Sequence, residues 1–238
     1  MNELPEEGFE LFWEASTLTP ATAPAFGSQV LSWDPPWRPR LLTYPGPDLD
    51  LPLPRDRLLS LTQRRSSGRT FGPGRLTERQ LGSLFAAFSQ TPDGRRLFPS
   101  AGALYPLEVF CLATGVEGDM TGKILCYNPD RHSVSVVGEC PPWEECAKAI
   151  NNPLEGQPQV VFLFVLLLEE MLAKYGPRGG RFALIEVGHA AHSLALRLTR
   201  EKLAGFEMGG LLDREILRLL GLQDRPARVA LGYACGLP

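Results

Sequence analysis

The most regular hydrophobic pattern in the sequence runs from Phe182 to Leu198. Apolar residues recur there at steps of three and four and cover nearly the whole circumference of a helix. A helix with so little polar surface is usually buried at the centre of a protein. We therefore predict a buried central helix with one narrow polar stripe, which consists of Glu186, His189, Ser193, Arg197 and Arg200.

The other hydrophobic segments predict a mixture of strands and helices. Residues 160–168 form a continuous apolar run, which is typical of a strand buried on both faces. Further strands are predicted at 107–113, 123–127, 133–137, 203–208 and 228–233. Helices are predicted at 55–63, 142–150 and 213–220, and one more starts at Thr77. Because strands and helices do not alternate regularly, the predicted fold class is α+β.

The first 50 residues differ from the rest of the chain because proline interrupts them eight times. Long helices are not expected in such a segment. It is nevertheless rich in aromatic residues, which a disordered tail usually lacks. We expect an extended arm at 1–50 that packs on the body or on a partner subunit, with a flexible leader as the alternative. Residues 51–238 then form the main domain.

The composition of the chain argues against several classes of protein. The net charge of −3 gives no general attraction to nucleic acid or anionic membranes. The longest apolar run is far shorter than the roughly 20 residues of a membrane-spanning helix. The acidic N-terminal sequence has no signal-peptide pattern, so we expect a cytoplasmic protein. The five cysteines are scattered without a CxxC pair, which favours reduced thiols over a metal or redox site.

Three segments carry residues suited to ligand chemistry. In the first, Arg65, Ser67 and Arg69 alternate along an extended stretch and point the same way. Arginine binds phosphate through paired donors, so this segment suits a phosphate or a polyhydroxyl chain. Taken alone, such a cluster is more often solvated surface.

The second segment offers small side chains and accessible backbone. Pro99, Ser100 and Ala101 begin a turn-rich connection into the strand at 107–113. Small residues let a flat ring system lie against the backbone, which then supplies a few polar contacts. An ordinary loop before a strand is an equally good interpretation.

The third segment, residues 174–181, is interpreted as a glycine-broken loop in front of the central helix. Its Lys174 and Tyr175 are the best candidates for transferring a proton to or from a substrate. A Lys-Tyr pair in a loop is more often a simple surface pair.

The spacing Glu186-x-x-His189-x-x-His192 resembles the Glu-x-x-His element of di-iron helices. Such sites need a second copy and further helical glutamates, which the sequence does not offer. A structural stripe with His189 bonded inside the fold is the preferred interpretation, and no metal is predicted. The common hydrolase, P-loop and dinucleotide-binding fingerprints do not occur.

Taken together and in this order, PSAGALYPLEVF and KYGPRGGRFALIEVGHAAHSLAL resemble the SagB/ThcOx (McbC-like) branch of the nitroreductase superfamily. Its members are FMN-dependent dehydrogenases that oxidise thiazolines and oxazolines in ribosomal peptides to thiazoles and oxazoles. The resemblance covers roughly residues 55–235. It implies a nitroreductase-like fold, with a sheet around a buried central helix and flanking helices, and a homodimer with FMN at the subunit interface.

The resemblance also implies roles for individual residues. The pair implicated in catalysis corresponds to Lys174 and Tyr175. The family segment that contacts the ribityl-phosphate end of the flavin corresponds to Arg65, Ser67 and Arg69. Residues that lie against the flavin, usually from the other subunit, correspond to Pro99, Ser100 and Ala101. Glycines beyond the central helix correspond to Gly209 and Gly210.

The chain departs from the family pattern at three places. His192 and Ser193 replace two amide side chains, and Gly180 replaces an aromatic residue. The last eight residues lack the basic residue with which many relatives hold the FMN phosphate, so Arg197 or Arg200 is expected to assist.

The leading hypothesis is an FMN-dependent azoline dehydrogenase that acts on a peptide, with a cyclodehydratase as a possible partner. A generic NAD(P)H-dependent FMN reductase of nitro or quinone compounds is the first alternative. A flavin-free, non-catalytic subunit of a peptide-modifying complex is the second.

Overall fold

The computed structural model describes residues 5–32 and 49–238. Its centre is a six-stranded sheet in the order β3-β2-β1-β4-β6-β5, and every neighbouring pair is antiparallel. The strands are β1 Leu107–Ala113, β2 Lys123–Asn128, β3 Ser133–Glu139, β4 Val160–Leu167, β5 Ala204–Met208 and β6 Ala227–Gly236. All six lie where the hydrophobic pattern predicts strands.

Eight α-helices surround the sheet in the described part of the chain. They are α1 Pro5–Ser16, α2 Ala23–Ser32, α3 Arg57–Arg64, α4 Glu78–Phe85, α5 Trp143–Cys146, α6 Glu169–Tyr175, α7 Arg178–Glu201 and α8 Asp213–Leu219. Thr77 begins α4 as predicted, because its side chain and that of Gln80 cap each other's backbone N–H groups.

Strand β4 is the centre of the core, as its unbroken apolar run predicts. Its side chains from Val160 to Leu166 are completely buried. Phe162 and Phe164 belong to the core layer that contains α4 and α7. Leu163 and Val165 belong to the opposite layer, against α8. Because successive side chains of a strand point to opposite faces, one strand serves both layers.

The central helix α7 is buried on one side rather than all round. Ala190, Ala191 and Leu194 are in the core, whereas Ile185 is 55% exposed and His189 is exposed. The prediction that His189 is bonded inside the fold is therefore wrong. Periodicity gave the helix correctly but overestimated its burial, because it does not show which face of the helix packs on the core.

The N-terminal segment holds two helices instead of the expected extended arm. Pro5 and Pro24 lie in the first turns of α1 and α2, where a missing N–H costs nothing. Packing on the body is confirmed, since Phe9 and Trp13 are each only 7% exposed within the core. Trp33 and Trp37 lie outside the described residues, and the division at residue 50 stays a prediction.

Phe9 explains one departure from the family pattern. A side chain at Gly180 would begin 2.0 Å from the Phe9 ring, so the absence of one there makes room for α1. An aromatic residue supplied by α1 thus fills the space beside the start of α7.

Among residues 5–32 and 49–238, no helix has both the length and the apolar character needed to span a bilayer. In the same ranges no three His, Cys, Asp or Glu residues converge as metal ligands. Glu186 is buried whereas His189 and His192 are exposed, so the Glu-x-x-His spacing does not form a site.

Candidate active site

Lys174 and Tyr175 are the last two residues of helix α6 rather than part of a loop. The predicted glycine-rich loop is only a two-residue break, because Gly176 ends α6 and Pro177 precedes α7. The N–H of Gly176 donates to the carbonyl oxygen of Leu172 at 2.7 Å. Both side chains are therefore carried on a regular helix, which holds them more rigidly than a loop would.

These two side chains converge on Gly102. A Cβ atom at Gly102 would lie 2.5 Å from both Lys174 Nζ and Tyr175 Oη. Lys174 Nζ is also 5.3 Å from the centre of the Tyr175 ring, and that ring packs edge-on against Phe182 at 5.1 Å. Lys174 is exposed and Tyr175 is half-buried. Sequence reasoning did not recognise Gly102 as part of this site, although it stands between the small residues of the 99–103 segment.

The segment around Gly102 has an unusual backbone. Gly102, Ala103 and Tyr105 all have positive φ, at 63°, 55° and 49°. The Ser100 hydroxyl stabilises this turn by accepting a hydrogen bond from the Tyr105 N–H at 3.0 Å. Non-glycine residues in this conformation are strained and are concentrated at functional sites. Pro99 is exposed and Ala101 half-buried, so this segment lies at the surface.

Glu186 of α7 lies beneath this segment. The residue is 1% exposed, and neither carboxyl oxygen completes a hydrogen bond within the described residues. Burial raises the pKa of Glu186, while the nearby Ser100 hydroxyl, Leu107 N–H and Arg96 guanidinium oppose that effect. A buried carboxyl that completes no hydrogen bond is costly to ionise, which is why burial raises the pKa of Glu186.

The segment with Arg65, Ser67 and Arg69 is extended and exposed, as predicted. It lies beside strand β5, because the Gly68 N–H donates to the Gly205 carbonyl oxygen at 3.0 Å. The Arg69 guanidinium lies 4.6 Å from the centre of the Phe206 ring. In residues 5–32 and 49–238, neither arginine has a carboxylate partner. Among these residues, no carboxylate competes with an anionic ligand for the two guanidiniums.

Gly209 and Gly210 directly follow β5. Gly210 is held on both sides, since its N–H donates to Asn152 Oδ1 at 3.0 Å and its carbonyl accepts from the Asn151 N–H at 2.6 Å. Gly209 is exposed and has no neighbouring atom within 4 Å of the place of a Cβ. Its backbone is therefore open to a flat ligand.

The predicted site residues form two groups. The β5 half-site consists of Arg65, Ser67, Arg69, Gly209 and Gly210. The loop half-site consists of Pro99, Ser100, Ala101, Lys174 and Tyr175. Strands β4 and β6 lie between β1, which follows the loop half-site, and β5. Three strand spacings correspond to roughly 14 Å across the sheet. Within one chain the 99–101 segment is therefore separated from the residues that flank β5.

Comparison with known proteins decides the family. Residues 61–237 match the family model described as the nitroreductase family. The chain belongs to the nitroreductase family. It is thus an oxidoreductase of that superfamily, and the predicted nitroreductase-like α+β fold is confirmed.

Two curated relatives are similar in sequence. MJ1384 of Methanocaldococcus jannaschii, a protein assigned to the nitroreductases, is 33% identical over 68% of this chain and 83% of its own length. The microcin B17-processing protein McbC of Escherichia coli is 30% identical over 60% of this chain and 55% of its own.

Solved structures share the fold. The Escherichia coli microcin synthetase McbBCD complex with truncated pro-MccB17 contains a chain that matches 95% of this one. The match has a TM-score of 0.73 and 23% identity, and it covers 90% of that chain. A nitroreductase homologue of Desulfovibrio desulfuricans in complex with FMN matches at a TM-score of 0.54 and 15% identity, over 78% of this chain and 88% of its own. These findings support the McbC-like branch of the superfamily, a superfamily that generally uses FMN.

Proposed function

We propose that this protein is an FMN-dependent dehydrogenase that converts thiazoline or oxazoline rings in a ribosomally made peptide to thiazoles or oxazoles. The observation that carries the proposal is the convergence of Lys174 Nζ and Tyr175 Oη beside Gly102. It supports the proposal because an amine and a phenol, both able to transfer a proton, lie next to the small-residue segment. The sequence similarity to McbC points to the same chemistry.

The residues present fit FMN. The exposed guanidiniums of Arg65 and Arg69 suit its phosphate end, and the open backbone at Gly209 suits its ring. When bound, FMN supplies a hydride acceptor.

The protein's own side chains must then accept the proton that the substrate ring loses. Aromatising an azoline removes a proton from one ring carbon and a hydride from its neighbour. Tyr175 or Lys174 accepts the proton, since these groups lie at the edge of the loop half-site.

We further propose a homodimer in which each flavin lies between the β5 half-site of one subunit and the loop half-site of the other. The separation of the two half-sites within one chain supports this arrangement. The exposed Ile185 and the exposed glycine and histidines of α7 provide a surface for a second copy. A peptide substrate and a cyclodehydratase partner are proposed by analogy with the McbBCD complex with truncated pro-MccB17.

A generic NAD(P)H-dependent reductase of nitro or quinone compounds is the second candidate, because similarity to MJ1384 favours it equally. In such a reductase, Lys174 and Tyr175 would have no evident catalytic role. Oxidation of NAD(P)H by a quinone, without oxidation of a thiazoline peptide, would establish it instead.

A mixed-dimer experiment tests the proposed site. One chain carries Arg65→Ala and Arg69→Ala, and a differently tagged chain carries Lys174→Ala and Tyr175→Phe. The homodimer without Lys174 and the Tyr175 hydroxyl should lose at least about 100-fold in turnover of a short peptide with one thiazoline, since proton-transfer groups contribute roughly 10²–10⁴-fold. The homodimer without the two arginines should also lose turnover, because it binds FMN more weakly.

In the mixed dimer, one site combines both defective halves and the other combines both intact halves. It should therefore recover about half of the wild-type turnover per dimer, relative to two intact sites. If the purified mixed dimer stays inactive, the two half-sites act within one chain. A wild-type protein that binds no flavin would contradict the whole proposal and favour a non-catalytic subunit.

A further inference from the structure

Two of the five cysteines lie in contact, although no CxxC motif joins them. The Sγ atoms of Cys140 and Cys146 are 3.8 Å apart, and both thiols are free. Cys140 directly follows β3, and Cys146 is the last residue of α5. A disulfide has an S–S distance of about 2.05 Å, so the two sulfurs must approach each other by less than about 2 Å. Rotation of the two side chains about their Cα–Cβ bonds can supply an approach of that size.

The pair also differs chemically from the other three cysteines. The hydrogen bond between the two thiols lowers the pKa of Cys146 and raises that of Cys140, because the two sulfurs share one proton. Burial raises the pKa of Cys126 to about 11. It also raises the pKa values of Cys111 and Cys235, which are completely buried. Since the thiolate is the reactive form, Cys146 is the most readily activated of the five, and its neighbour Cys140 is half-buried rather than enclosed.

The two cysteines are not held equally firmly. The backbone N–H of Cys140 donates to the Gly122 carbonyl oxygen at 2.8 Å, which fixes this residue to the edge of the sheet. Two prolines follow Cys140 and restrict the backbone further. Cys146 instead belongs to a helix of only four residues, Trp143–Cys146. A bond between the two sulfurs therefore pulls Cys146 and the residues after it towards Cys140.

The residues that follow Cys146 hold the backbone of the β5 half-site. The Ala149 carbonyl accepts a hydrogen bond from the Leu212 N–H at 2.9 Å. Asn151 and Asn152 hold Gly210 through the two hydrogen bonds described above. A side chain at Gly210 would collide with the Asn151 carbonyl, so the two backbones are tightly packed. A displacement that starts at Cys146 is therefore transmitted to Gly210 within six residues.

We propose that Cys140 and Cys146 form a reversible disulfide, and that this bond loosens the backbone at Gly209 and Gly210 and weakens flavin binding. The oxidant is a small-molecule disulfide. One cysteine thiolate attacks a sulfur of the oxidant and displaces its other half as a thiol, and the second cysteine then displaces the half that remains bound. The two cysteine sulfurs are oxidised, the oxidant is reduced to two thiols, and the two cysteine protons pass to those thiols. Formation of the bridge is independent of the proposed function, whereas its effect on flavin binding rests on that function.

The first experiment tests the bridge. The protein is incubated with oxidised glutathione, unfolded and alkylated, and the labels are counted by mass spectrometry. The wild type should lose two of its five reactive thiols, carry no glutathione, and regain both thiols with dithiothreitol. Cys126→Ser is the matched control, because Cys126 is also half-buried and free, and it should lose two thiols as well.

Cys140→Ser and Cys146→Ala should form no internal bridge. Cys140→Ser changes a half-buried side chain and is the milder of the two, whereas Cys146→Ala removes a sulfur from the core layer against α8. The proposal is wrong if the wild type keeps all five thiols or stops at a glutathione adduct. It is equally wrong if Cys140→Ser still loses a pair of thiols.

The second experiment tests the link to the β5 half-site. In the oxidised wild type, amide hydrogen exchange in residues 147–152 and 209–212 should be faster, and FMN should bind about 3- to 10-fold more weakly, as expected for the loss of one hydrogen bond. Cys140→Ser should show neither change after the same treatment. A bridged protein with unchanged exchange and unchanged FMN affinity would overturn the link. If the wild type binds no FMN, the proposed function fails, and faster exchange in the bridged protein still supports the link to Gly210.

Discussion

Replacing Gly102 with alanine tests whether the geometry around Lys174 and Tyr175 is functional. The new Cβ would lie 2.5 Å from both Lys174 Nζ and Tyr175 Oη. Ordinary contact begins near 3.4 Å, so the amine and the hydroxyl must withdraw by about 1 Å. The substitution therefore displaces both proposed proton acceptors while leaving their chemistry intact.

The expected loss follows from that displacement. A misplacement of about 1 Å costs an enzyme roughly 100-fold in rate. Alanine at φ 63° also strains the backbone by about 1–2 kcal/mol, which lowers stability but not the proton-accepting capacity of the two groups. A loss of turnover therefore reports on the displaced amine and hydroxyl, and a loss of stability reports on the strained backbone.

Gly122→Ala is the matched control. Gly122 has φ 69°, close to that of Gly102, but nothing lies within 4 Å of its Cβ position. Both variants should therefore lose similar stability in thermal unfolding and keep their flavin. Only Gly102→Ala should lose about 100-fold in oxidation of a thiazoline peptide. In a Tyr175→Phe background the loss caused by Gly102→Ala should be much smaller, because neighbouring groups that act together are not additive.

Equal turnover in the Gly102 and Gly122 variants would refute the reasoning. It would mean that the positions of Lys174 and Tyr175 against Gly102 do not matter for catalysis. A loss of flavin in Gly102→Ala alone would instead assign this glycine to cofactor binding.

Two further predictions concern the two halves of the site. Arg65→Ala or Arg69→Ala should weaken FMN binding by about one to two decades, because each removes a charge-assisted contact worth roughly 1.5–3 kcal/mol; full flavin content after purification of both variants would contradict this. Glu186→Gln should change the pH dependence of stability. Burial raises the folded-state pKa of Glu186 above its ordinary 4.5. The stability that the wild-type protein gains from the protonated carboxyl is therefore fully present below pH 4.5 and is lost as the pH rises through the folded-state pKa. Thermal unfolding is measured from pH 4 to pH 8 at about one-unit steps. The melting temperature of the wild type should fall relative to that of Glu186→Gln as the pH rises, and parallel curves of melting temperature against pH would show that the pKa is not raised.

Much of the fold could be predicted from the sequence because the buried side chains of a helix or strand recur with the period of that element. The unbroken apolar run of β4 predicted a strand buried on both faces, and its side chains from Val160 to Leu166 are fully buried. The steps of three and four from Phe182 onward predicted α7. Thr77 predicted the start of α4 through its capping chemistry. These are local properties, so the order of residues alone determines them.

The tertiary structure decided where the helices of the N-terminal segment pack and which residues meet at the site. Proline spacing argued against long helices in the first 50 residues and favoured an extended arm, yet α1 forms because Phe9 and Trp13 find a place in the core. The glycines after Tyr175 suggested a loop, but Gly180 instead provides room for Phe9. Contact between Gly102 and Tyr175 joins segments more than 70 residues apart in the sequence. No local pattern records such a contact, because it depends on how the sheet brings the start of β1 beside the helix that follows β4.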